Sequence, residues 1–166
     1  MAIANPYGAD LGDRIPLEAL AETPEKLRRL VAAWSDEDFE RTYAAGKWSF
    51  RKILVHLAQT EIIVQGRFRH ALTTDGYVVQ PFDQDLFMAV EPATNGDAAL
   101  EAYVCLRRFA LPLIDRLRAA ELAKRFRHPD HGEISVAWLL AWWAGHERRH
   151  LGQVERIADI AGKDDE

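Results

Sequence analysis

Apolar residues recur at intervals of three and four along nearly the whole chain, the spacing of amphipathic helices. Leu27, Leu30, Val31 and Trp34 form the first stripe. Thr23-Pro24 ahead of it reads as a helix start, a capping hydroxyl followed by proline at the first helical position. Leu17 and Leu20 fit an earlier turn of the same element, and Ser35 is placed to cap a short turn at Asp36–Phe39. A second helix is predicted from about Phe50 to about Leu72, capped by Ser49, with Phe50, Ile53, Leu54, Leu57 and Val64 inward. Trp48, just before the cap, is positioned to pack on Ile53 as a hydrophobic staple. A third helix covers roughly Asp97 to Ala120, with Leu100, Val104, Phe109, Leu113 and Leu117 inward; Pro112 should kink it or shift its end. The fourth starts at Ser135, with Ile134 stapled on Leu139, and reaches about Ile160. Apart from an extended piece at Gly76–Val79, no strand pattern stands out.

The connections then constrain the topology. Helices one and two are joined by roughly 15 residues, whereas the segment Asp75–Asn95 between helices two and three is much longer. A long crossover lets consecutive helices of a bundle run the same way. The expected architecture is an all-α single domain, a four-helix bundle running up-down-down-up.

Composition narrows the function classes. The 166 residues suffice for one sizeable core. A net charge of −5, with Lys and Arg scattered beside Asp and Glu, gives no support to a nucleic-acid surface. No apolar run reaches membrane-spanning length, and no signal peptide is recognisable at the N-terminus. The single cysteine, Cys105, excludes an internal disulfide and fits a reducing cytoplasm.

The candidate chemistry lies in the fourth helix. Gly145–Gln153 contains His-Glu-x-x-His, the spacing that gives zinc peptidases two ligands and a base. At about 100° per residue, His146 and His150 lie about 40° apart on one face, one turn apart along the axis. Leu139, Trp142, Trp143, Gln153, Ile157 and Ile160 share that face, so both histidines point into the core, and Glu147 sits about 100° away at its edge. Two neutral imidazoles buried together need partners. A divalent metal is one common partner; hydrogen bonding inside a helical core is the alternative. His56 is the candidate third ligand, on the flank of helix two, or else a boundary histidine. His70, His128 and His131 read as helix-end or loop histidines. A zincin needs a further downstream ligand, and Glu155 and Asp159 are too close along the same helix to supply one, so the peptidase reading is disfavoured.

"GKWSFRKILVHLAQTE", followed about ninety residues later by "GHERRHLGQVERI", resembles the DinB-like superfamily of metalloenzymes, also called DinB/YfiT-like. The resemblance spans about Thr23 to Ile160. It implies a four-helix bundle holding one divalent ion, nickel or zinc, on three histidines that fall here on His56, His146 and His150. It further implies a small-molecule substrate, a low-molecular-weight thiol as co-substrate in some members, and a homodimer. Arg149 departs from a second histidine that members often carry just before the last ligand. Three readings stay open: a thiol S-transferase, a metal-dependent hydrolase, and a non-catalytic, metal-stabilised dimeric bundle. Glu147 is the candidate catalytic base of an enzyme, or else an exposed glutamate paired with a nearby arginine. Phe82, Asp83, Asp85 and Phe87 of the crossover are candidates to wall or cover a pocket, and Glu61 to pair with an arginine or orient a ligand.

Overall fold

The computed structural model describes residues 3–91 and 93–164, the last three by backbone alone. Its helices are α1 (Gly8–Leu11), α2 (Pro16–Leu30), α3 (Phe50–Thr73), α4 (Gln84–Ala89), α5 (Gly96–Asp115), α6 (Ala119–Leu122) and α7 (Val136–Asp164). A 3-10 turn at Asp38–Glu40 and a two-stranded hairpin, β1 (Arg125–His128) and β2 (Gly132–Ser135), complete it. The long helices α2, α3, α5 and α7 form the bundle.

Cross-helix contacts fix the directions. Arg28 pairs with Glu101 at 2.9 Å, while Arg107, further along α5, reaches back to the carbonyl of Leu20 at 2.6 Å, so α2 and α5 are antiparallel. Gln65 donates to the carbonyl of Leu106 at 2.7 Å and Arg69 lies 4.9 Å from the Phe109 ring, so α3 and α5 run together. Glu61 meets Trp143 whereas His56 meets His146, so α7 opposes α3. The order is up-down-down-up, as the long crossover implies.

The caps explain the starts. Ser49 accepts from the amide of Lys52, Asn95 from that of Ala98, and the Ser135 hydroxyl from that of Trp138. One expected start is wrong. Thr23-Pro24 lies inside α2, not at its beginning, and the Thr23 hydroxyl donates back to the Ala19 carbonyl at 3.0 Å. Proline at this position removes the amide that would bond the Leu20 carbonyl. That freed carbonyl is the one Arg107 takes, so the helix continues at no net loss of hydrogen bonds.

Two further expectations are corrected. Phe109 is 67% exposed; the inward face of α5 is Leu100, Tyr103, Val104, Arg107, Ala110 and Ile114. The connection to α7 is not helical throughout: Arg125–His128 pairs antiparallel with Gly132–Ser135 around a turn that ends at Gly132, whose φ of 69° a side chain would disfavour. The extended piece at Gly76–Val79 joins this hairpin, with the Val79 amide on the Arg127 carbonyl at 2.8 Å. The crossover itself contains α4, capped by Asp83, which accepts from the amides of Asp85 and Leu86.

The core is two apolar clusters. One gathers Leu20, Val64, Phe68, Ala110, Ile114 and Trp143; the other Leu27, Leu57, Tyr103, Val104, Leu151 and Val154. On every long helix a polar group separates them: Thr23, Glu61, Arg107 and Glu147. The bundle is therefore cut across its middle by a buried polar layer.

Candidate metal centre

The layer has two halves. In one, Arg107 of α5 is fully buried and engages all three other long helices. Its guanidinium donates to the Leu20 carbonyl, to both carboxylate oxygens of Glu147, and to both of Glu61. Trp143 Nε1 and Gln65 Nε2 each donate to Glu61 at 3.1 Å. The rings of Trp143 and Tyr103 stand 4.8 and 5.3 Å from the guanidinium carbon, adding cation–π attraction. Burial pushes the Glu61 carboxyl up in pKa, against the pull of Arg107. The sequence places Glu147 at the edge of the inward stripe, either as a base or as an exposed partner of an arginine. It is 1% exposed, and its carboxylate is spent on Arg107. Glu61 has the arginine partner expected of it.

In the other half, His56 comes from α3 and His146 and His150 from α7. Nε2 of His146 lies 3.1 Å from Nε2 of His56 and 3.2 Å from Nε2 of His150, and the three rings offer nitrogens all within 4.8 Å of one another. His56 and His146 are 1% and 5% exposed; His150 is partly buried. Burial depresses all three imidazoles. His56 falls to about 3, helped by the charge of His150; His150 falls to about 4, although its bond to Gln153 opposes the shift. His146 falls well below its ordinary value, by burial first and then by its two neighbours and Arg149. All three are neutral imidazoles at pH 7, the protonation state that a metal ion needs in a ligand.

Neutral tautomers alone do not satisfy this trio. Nε2 of His146 carries one proton or one lone pair, yet it faces two other Nε2 atoms. A cation accepting three lone pairs resolves the conflict. Nitrogens about 2.05 Å from a tetrahedral ion stand ~3.3 Å apart, close to the 3.1 and 3.2 Å found here. The donor set fits a divalent ion that favours imidazole, such as zinc or nickel.

The surroundings orient the rings unequally. His150 Nδ1 donates to Gln153 Oε1 at 2.8 Å, which fixes the tautomer that leaves Nε2 bare. Nδ1 of His56 and of His146 is buried with no such partner among the described residues. Packing holds those rings instead. Trp142 stacks on His146 at 5.0 Å with 9° between planes, and the edge of Tyr7 meets it at 5.1 Å. Trp48 lies 5.2 Å from the His56 ring, and Phe82 of the crossover lies 6.3 Å from it. The α4 segment is tied down by Gln59, which donates to the Phe87 carbonyl at 3.0 Å. The crossover thus contributes Phe82 beside His56, while Asp83 serves as a helix cap.

Sequence reasoning missed the N-terminal strap. Residues 3–11 run along α7: Trp138 Nε1 donates to the Ile3 carbonyl, Tyr7 packs on Trp142 and His146, and Asp10 accepts two bonds from Arg149 at 2.9 and 3.1 Å. Gly145 makes the approach possible, since a Cβ there would collide with the Tyr7 carbonyl oxygen and lie 2.8 Å from the Tyr7 Cβ. A glycine between Trp142 and His146 on the inward face was the signal available. Gln153, three residues beyond His150, was placed on the right face without its role.

His146 and His150 line an open cleft of about 310 Å³, together with Tyr7, Tyr43, Lys47, Trp48, Gln84 and Arg149, while His56 lies buried behind them. A larger surface groove lies elsewhere, around Phe109, Pro112 and Arg116, and contains none of these groups.

Comparison with known proteins gives one consistent result. The profile of the DinB superfamily matches residues 19–154. A candidate metal-dependent hydrolase of Oceanobacillus iheyensis is 30% identical over 141 residues, 84% of this chain and 81% of that protein. YfiT of Bacillus subtilis, described as a candidate metal-dependent hydrolase with an unusual four-helix bundle topology, is 25% identical over 146 residues, 84% of this chain and 82% of its own. Its structure matches with a TM-score of 0.80 over 91% of this chain and 92% of that one. A mycothiol-dependent maleylpyruvate isomerase matches with a TM-score of 0.66 at 14% identity, over 83% of this chain and 58% of that one.

Proposed function

The chain belongs to the DinB superfamily, and we propose that it is a divalent-metal enzyme acting on a small molecule, with His56, His146 and His150 as ligands and a thiol as the preferred nucleophile. The observation that carries this is the convergence of three neutral imidazoles, two of which, His146 and His150, line an open cleft rather than a closed core. A structural ion is closed on all sides; a catalytic one keeps a side open. When bound, the cation, nickel or zinc, supplies Lewis acidity and lowers the pKa of a water or thiol that reaches it.

The chain's own groups then have distinct tasks. Gln153 holds the His150 proton at Nδ1, so that Nε2 faces the centre. Trp142, Tyr7 and Trp48 exclude water from the ring faces. Arg107 with Glu61 and Glu147 locks α3 to α7, which fixes His56 against the other two histidines. Glu147 is a structural group in this reading, not the acid–base residue. A hydrolase is the second reading, favoured by the names that the relatives carry; water would then take the place of the thiol. A homodimer and a cytoplasmic setting belong to the same proposal. Among the described residues no helix is long and apolar enough to cross a membrane.

The test is metal analysis of protein purified without a nickel column or histidine tag, followed by assay of the loaded protein. Thiol-plus-electrophile pairs are set against esters and amides. Stoichiometric metal and turnover with thiols support the first reading; turnover of esters or amides alone moves the proposal to the second. A loaded protein inert to the whole panel leaves a structural ion.

A further inference from the structure

We infer that the cleft selects small molecules that carry a carboxylate, or another compact anionic group, beside the reacting atom. This rests on the histidines being metal ligands and extends that reading to a substrate class.

The first observation is the charge of the lining. The chain carries a net charge of −5, yet among the described residues no Asp or Glu lines the cleft and two cations do. Lys47 stands on the turn before α3, its amide on the Ala44 carbonyl at 3.2 Å, and it has no ion pair among the described residues. Arg149 stands on α7, next to the last ligand. The cleft is cationic before any metal enters, and low-dielectric walls focus such a field.

The second observation is how Arg149 is held. Its Nε and Nη2 both donate to Asp10, and its guanidinium carbon lies 4.6 Å from the Tyr7 ring. Nη1 forms no bond among the described residues. A surface arginine ordinarily spends side-chain entropy when it binds an anion. Here the N-terminal strap has already ordered the guanidinium, leaving one nitrogen free for a ligand. Asp10 reduces the net charge at this point but does not line the cleft. Tyr7, Tyr43 and Gln84 add neutral donors. An anion held by Lys47 and Arg149 would share the cleft with His146 and His150, so the rest of the same molecule could reach the metal.

The probe is cobalt(II)-loaded protein titrated with three thiols that share a reactive sulfur: mercaptosuccinate, 2-mercaptoethanol and cysteamine. The readout is the cobalt absorption spectrum, not turnover. Mercaptosuccinate should bind about ten-fold more tightly than 2-mercaptoethanol, and cysteamine most weakly, as expected for two partly exposed charge contacts. Lys47→Gln and Arg149→Gln should each lower the preference about two- to five-fold, and the double variant should abolish it. Arg149→Lys should keep most of it, and molar salt should shrink it. Equal affinities for all three thiols, or a preference that survives in the double variant, overturn the inference while leaving the metal reading intact. If cobalt binds but no thiol perturbs it, the thiol nucleophile is lost; the inference then stands if succinate perturbs the spectrum in wild type and not in the double variant, and falls otherwise. Failure of wild type to bind cobalt overturns both.

Discussion

Arg107 and His146 lie in the same polar layer, but the groups around Arg107 satisfy one another and those around His146 do not. The guanidinium meets two carboxylates and a carbonyl, and Glu61 also receives Trp143 and Gln65. Glu147 and His146 are sequence neighbours on opposite sides of this division. Three imidazoles instead point nitrogen at nitrogen, two with their other nitrogen buried and unpaired. Folding has little reason to assemble the second cluster for its own sake, because buried polar groups without partners cost stability. The difference separates a device that builds the bundle from one that the bundle is built to hold. It also gives each residue a different expected failure: loss of stability on one side, loss of ligand affinity on the other.

The sharpest break comes from Arg107→Leu. It leaves two buried carboxylates facing each other and the Leu20 carbonyl without a donor. Removing one partner of a buried ion pair costs about 3–5 kcal/mol, or ~6–20 °C in Tm for a chain of this size. Replacing Glu61 and Glu147 with leucine in the same protein should recover most of that loss, since apolar substitution of a whole buried ionic cluster is often neutral or better. Thermal unfolding reads both. An unchanged Tm for Arg107→Leu would mean that the cluster does not hold the helices together.

The histidine half should behave in the opposite way. Metal at a hundred times its dissociation constant stabilises the folded chain by about 2.7 kcal/mol, or ~5–11 °C. His146→Ala should abolish that gain while leaving the metal-free Tm nearly unchanged or raised, because it removes a buried group with an unpaired nitrogen. A metal-free His146→Ala protein that unfolds as early as Arg107→Leu would erase the distinction between the two halves.

How much of this was legible follows the same line. Helices α3 and α7 could be bounded from Ser49 and Ser135, since a capping hydroxyl is a local signal. The three histidines could be brought together through helix periodicity and the family motif. The Arg107 cluster could not. Reading α5 by its apolar residues put Phe109 inside and passed over Arg107, because a buried charge shows itself only through partners that lie 40 and 46 residues away or more. Pro24 misled for the same reason: its missing amide was compensated by that unseen arginine rather than by a helix start. The hairpin escaped because each strand is four residues long, too short for a clear alternation. The strap escaped because it has only one short helix and gains its order from α7.

Gln153 tests the orientation of the metal half at smaller scale. Its carbonyl oxygen fixes the His150 tautomer. Gln153→Leu keeps the size and removes the acceptor, and loss of such a supporting bond typically costs about 10- to 100-fold in metal affinity. Competition with a chromophoric chelator measures it, and Gln153→Glu should retain or improve the affinity. A Gln153→Leu protein with wild-type affinity would mean that packing alone orients all three rings.

The smallest effect probes the charge balance of the Arg107 half. One guanidinium faces two carboxylates, so the cluster carries an excess negative charge, and burial raises the Glu61 pKa above its ordinary value. The sign follows. A carboxyl that holds its proton more tightly folded than unfolded stabilises the fold below its unfolded pKa, and that contribution is lost as pH rises through the folded value. Glu61→Gln removes this titration but keeps an acceptor for Trp143 and Arg107, and Glu147 remains to pair with the guanidinium. The variant should therefore differ from wild type by less than about 1 kcal/mol near pH 7, the scale of one net hydrogen bond. Its stability should also fall less than that of wild type between pH 5 and pH 8, as measured by urea unfolding at each pH. A larger fall in the variant would show that Arg107 needs both charges, and that the carboxylates share its charge rather than compete for it.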